Sequence, residues 1–115
     1  MVNYARVDEI TNEIRKIRTE QECVEDYLKD VWKQEDENYE ELQSMLRRFD
    51  DDYEDCQSDP HLMSLMNERE VYLQEMLREC EEFLIQVEGE QKSIKHKCES
   101  DIDELEWERQ RLSVL

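Results

Sequence analysis

A chain of 115 residues has room for one ordinary domain, and with one Gly and one Pro it has almost no material for turns, which argues against a many-stranded fold. With 42% of its residues charged and 37% hydrophobic, it favours long helices that each carry one apolar face. The net charge of −18, from 33 acidic and 15 basic side chains, repels phosphate backbones and anionic lipid, and so argues against direct binding to nucleic acid or to a membrane surface.

The acidic excess is −11 over the first 59 residues and −7 over the remainder, so it is not a tail. Disorder is the other reading of such a composition, and a sustained apolar period opposes it. The opening Met1-Val2-Asn3-Tyr4-Ala5-Arg6 lacks the apolar core of a signal peptide, and no run approaches the ~20 residues of a membrane span. The expected location is the cytoplasm, with export alongside a partner left open.

The first predicted helix starts at Asn3, a good capping residue, and runs to about residue 50. Its stripe is Val7, Ile10, Ile14, Ile17, Val24, Leu28, Val31, Leu42, Met45 and Phe49, at steps of three and four. From Val7 to Phe49 such a helix is roughly 65 Å long at about 1.5 Å per residue. The rest of the chain must supply an element of similar length to lie against it. The stripe falters at Glu35 and Asn38, where a neighbouring row, Trp32, Tyr39, Leu46 and Tyr53, turns apolar. This is the drift of a 3.6-residue helix off a 3.5-residue repeat.

Asp50, Asp51, Asp52, Glu54 and Asp55 follow, and acidic groups oppose the macrodipole at a helix C-terminus. The turn is therefore expected at about 51–59. Asp59 and Pro60 suit the cap and first position of a second helix, predicted over 60–112. Its stripe is Leu62, Leu65, Met66, Leu73, Met76, Cys80, Phe83, Val87, Ile94, Cys98, Ile102, Leu105 and Leu112, with Leu77, Leu84 and Ile85 widening it in the middle. Gly89 reads as a tolerated surface glycine.

The expected fold is all-α: an antiparallel two-helix hairpin with helices at about 3–50 and 60–112, forming one domain over 1–115. Facing residue numbers should add to about 110, placing Ile17 near Ser93–Ile94, Leu28 near Glu82–Phe83 and Leu42 near Glu68–Arg69. The seam is assigned to Ile10, Ile14, Ile17, Val24, Leu28, Val31 and Leu42 on one helix and to Leu73, Met76, Phe83, Val87, Ile94 and Leu105 on the other. The apolar bands at mid-length exceed what one mutual seam can cover, so further helices should pack there, from a second copy or another protein. Tyr27, Trp32, Tyr39, Leu46, Leu77, Leu84 and Trp107 are assigned to that interface. For Trp32 and Tyr39, beside the polar Glu35 and Asn38, the seam is an equal alternative. Trp107, flanked by Glu106, Glu108 and Arg109, is the best candidate for a contact made only with a partner.

No constellation carries chemistry. Cys80 and Cys98 would lie about 27 Å apart along one helix, and Cys23 would face residue 87, so no pair comes within the ~7 Å a disulfide needs. The cysteines read as reduced, buried thiols, with Cys56 exposed in the turn. His61 and His96 lack companions for a metal site. The Asp50–Asp55 cluster lacks the central Gly of a calcium loop and reads as a solvated turn. No Ser, His and acid arrangement and no Gly-rich phosphate loop occurs. The reading is a non-enzymatic chain with no catalytic residue, no metal and no cofactor.

The layout has a likeness. An acidic helical hairpin of this size, with one Asp-Pro-capped turn and a second helix reading Asn67-Glu68-Arg69-Glu70…Leu77…Glu82-Phe83-Leu84…Ile102-Asp103-Glu104-Leu105…Arg109-Gln110-Arg111-Leu112, resembles the small helical partners encoded beside LXG-domain toxins of Gram-positive bacteria. These belong to the WXG-like hairpins of type VII secretion. The resemblance implies an adaptor that binds the helical N-terminal domain of such a toxin in the cytoplasm and helps deliver it to the export machinery, with a second small helical partner allowed. Two features depart from the pattern. The turn has no Trp-x-Gly, and the Tyr-x-x-x-Asp/Glu spacing occurs at Tyr4…Asp8 and not near the C-terminus. That favours a signal-free adaptor. The alternative is a structural coiled-coil protein that self-associates. A nucleic-acid mimic that binds a basic protein ranks last.

Overall fold

A computed structural model describes residues 3–114. It contains helix α1, Tyr4–Cys56, and helix α2, Pro60–Val114, and no strand among the described residues. The fold is an all-α helical hairpin. Asn3 starts α1: its Oδ1 accepts from the Arg6 N–H at 3.1 Å and its carbonyl from the Val7 N–H at 3.0 Å. Asp59 starts α2 by accepting the N–H groups of His61 and Leu62 at 3.0 and 3.3 Å, and Pro60 takes the first helical position. These contacts satisfy donors that a helix N-terminus otherwise leaves open.

The turn is shorter than expected. α1 runs on to Cys56, past the predicted end at residue 50, and leaves Gln57–Asp59 as the connection. An acidic residue at a C-terminal turn costs about 0.3–1 kcal/mol at an exposed site. Phe49 packs against the core and Cys56 is half-buried, so the apolar stripe continues through the acidic segment and packing outweighs the dipole. α2 likewise extends to Val114, two residues past the predicted end.

Within the stretch expected to be one domain, contacts gather into two compact units: residues 3–30 with 88–114, and residues 31–87. In the first, Ile10 is fully buried and forms a core with Ile14 and Ile102, against which Ile17, Leu105 and Leu112 pack. The Arg6 Nε donates to Glu108 at 3.0 Å, Arg18 to Glu106 at 3.3 Å, and Arg109 to the Thr11 hydroxyl at 3.3 Å. Facing numbers therefore add to 114–124, above the predicted 110, because the later turn slides α2 along α1. Leu28 is buried and Ile94 half-buried. Val24, assigned to the seam, is 40% exposed.

In the second unit Leu42, Leu73 and Cys80 form the core, with Tyr39, Leu46, Phe49, Met76 and Leu77 packed against it. Leu42 thus meets Leu73 and Cys80 and not the predicted Glu68–Arg69, which is the same shift of register. Val87 is buried and Val31 half-buried. Phe83 was assigned to the seam, yet it is 40% exposed. A stripe that advances at 3.5 residues rotates out of the contact of a straighter helix, and Val24 and Phe83 sit where it has done so. Gly89 lies in α2, and a Cβ built there meets nothing within 4 Å.

Candidate interaction surface

The residues assigned to a partner divide into two sets. Tyr39, Leu46 and Leu77 pack on the Leu42–Leu73–Cys80 core and so belong to the hairpin itself, a correction to the assignment of Leu46 and Leu77 and, for Tyr39, the seam alternative. The Tyr39 hydroxyl donates to Glu81 at 2.8 Å across the two helices. That bond holds its proton above the usual tyrosine range. Trp32 and Leu84 are half-buried, and Trp32 already has a polar or ring contact of its own. Tyr27 and Trp107, both in the first unit, are 68% and 61% exposed. The Arg111 guanidinium sits 4.9 Å above the Trp107 ring, a cation–π contact that orients the indole.

Val71 and Tyr72, more than half exposed, were not singled out from the sequence. Their signal was apolar character off the stripe, directly before Leu73. Leu62 and Leu65 were read as stripe residues and stand exposed near the turn.

Two grooves run along the second unit. One, of about 600 Å³, has Met45, Phe49, Met66 and Leu73 as its apolar lining, with Arg48 and Arg69 beside them. The other, of about 530 Å³, has Leu42, Met76, Cys80 and Phe83, with Glu35, Glu41 and Glu79. Met45 lines both. The α1 residues of the two grooves recur at steps of three and four and so share one helix face, as do those of α2.

Cys80 lies under the second groove, and burial pushes its thiol up to about 11, helped by its hydrogen bond to Glu35. A thiol so protonated is a poor nucleophile. Cys23 is exposed, against its assignment as buried; Cys56, assigned as exposed, is half-buried at the end of α1, as is Cys98 in α2; all four are free thiols. Among the described residues no group of three or more His, Cys, Asp or Glu is placed to hold a metal ion, and no helix is long and apolar enough to cross a membrane. In the first unit Arg6 bonds Glu108, Glu9 and Glu13, and its guanidinium is held further above its usual range, chiefly by Glu108. What the surface offers is shape, apolar area and charge. Comparison of the chain with protein-family models, with curated proteins and with solved structures finds no significant match.

Proposed function

We infer that the chain is a non-enzymatic adaptor that packs against the helical N-terminal domain of an LXG-type toxin and supports its type VII export. One observation carries the reading. Among the described residues eight hydrophobic side chains are buried while thirteen large ones stand exposed, on a hairpin of net charge −18. Exposed aromatics on a helix face are the usual anchors for a partner helix, and Tyr27 and Trp107 are of that kind. The acidic remainder keeps the free chain and its complex in solution.

The test is co-expression with the large protein of the same gene neighbourhood that carries a helical N-terminal domain. The two should elute together, and Tyr27→Ala with Trp107→Ala should weaken the complex about thirtyfold or more. Separate elution of the unmodified proteins would remove the reading.

A further inference from the structure

We propose that the two grooves of the second unit form one channel that seats the same channel of a second copy of this chain, antiparallel, about a two-fold axis at the level of Met45. The inference goes beyond the export reading, since the occupant is the chain itself and the surface does not include Tyr27 or Trp107.

The argument begins with where the charges stand. One end of the channel carries Glu41 on α1 and Glu79 on α2. The other carries Arg48 on α1 and Arg69 on α2. Among the described residues none of the four takes part in an ion pair within the hairpin, although the chain has 33 carboxylates. Glu41 and Arg48 are centred between residues 44 and 45. Glu79 and Arg69 are centred on Gln74. Those centres lie level with each other, because Leu42 packs with Leu73 and Tyr39 bonds Glu81.

A single two-fold axis in the plane of the channel, perpendicular to its length, therefore does two things at once. It lays α1 against the second copy's α1 with Glu41 over Arg48, and α2 against the second copy's α2 with Glu79 over Arg69. Each contact occurs twice, as an isologous interface requires. The α1 wall from Glu35 to Cys56 is about 32 Å long at 1.5 Å per residue. At the width of a helix pair it would bury about 1,000 Å² over both copies, the lower bound for a specific interface. Met45 sits at the axis with Met66 and Met76 on either side, and unbranched thioethers adapt to such a surface. The remaining charges, Glu35 and Asp52, lie at the outer ends, and the Glu35 carboxylate is turned to the Cys80 thiol. This excess and the chain's overall charge hold the affinity to the micromolar range.

The experiment is light scattering on the purified chain at concentrations up to about 100 µM, where a micromolar dimer is well populated. Two variants accompany it, Glu41→Arg with Glu79→Arg, and Arg48→Glu with Arg69→Glu; all four positions are exposed, and helicity checks that each variant folds. The unmodified chain should approach twice its 14.2 kDa. Each variant alone should lose about tenfold or more in self-affinity, and the two mixed in equal amounts should recover the dimer. A mass of 14.2 kDa throughout, a dimer indifferent to both variants, or a mixture that fails to recover would each overturn the proposal. Failure here leaves toxin binding through Tyr27 and Trp107 standing, and failed co-elution leaves the dimer standing.

Discussion

The two units use the same pair of helices in different ways. Residues 3–30 with 88–114 hold 16 acidic and 10 basic side chains, a net −6; residues 31–87 hold 17 and 5, a net −12. The first unit has a core of branched aliphatic residues fenced by cross-helix arginine bonds. The second has a core that includes a thiol, with methionines and aromatics around it and open grooves alongside. β-branched residues hold one rotamer and fill a defined volume, whereas Met and aromatic rings on an open face suit an occupant that comes and goes. The hairpin thus keeps its better-fenced seam in one unit and its adaptable surface in the other.

One tryptophan in each unit allows that contrast to be broken experimentally: Trp32 reports the second unit in a Trp107→Phe chain, and Trp107 reports the first in a Trp32→Phe chain. The largest effects should come from the cores. Leu73→Ala and Ile14→Ala remove buried side chains and should each cost about 2–5 kcal/mol. Urea unfolding should show the loss first in the reporter of the altered unit; equal loss in both reporters would mean that the units open as one.

Alkaline pH should come next. The folded Cys80 thiol and Tyr39 phenol both hold their protons more tightly than an unfolded chain would. For Cys80 that stabilisation is complete below pH 9 and is lost as pH rises through about 11; for Tyr39 it is complete below pH 10 and is lost at higher pH. Thermal melts should therefore fall over that range for Trp32 before Trp107, and Cys80→Ser with Tyr39→Phe should flatten the difference.

The smallest effects concern the backbone. Asp59→Ala removes an acceptor from two N–H groups and should lower stability by about 1 kcal/mol, seen by Trp32. Gly89→Ala meets open space in a helix and should raise it by about 0.5–1 kcal/mol, seen by Trp107. Calorimetry on both variants checks the opposite signs.

Helix class, both N-caps and the seam residues Ile10, Ile14, Leu42, Leu73 and Val87 were legible from local rules: spacing, capping chemistry and the one proline. The end of α1 was not, because the dipole argument for stopping near residue 50 is local while the packing of Phe49 is tertiary. That single misplacement carries the register error, since each residue lost from the turn moves every facing pair. Val24 and Phe83 were misread for a related reason: position along a stripe does not say where a neighbour's contact ends. The grooves were not legible at all, because they depend on which faces two helices leave uncovered once they have paired.

The state of Cys80 gives the molecule a built-in clock. A protonated thiol beneath a groove reacts slowly with alkylating reagents, whereas Cys23 stands in the open and should be consumed early. After the fast thiols are blocked, the rate at which the last one is labelled measures how often the surrounding helices part. A second copy seated over it would announce itself by stopping that clock.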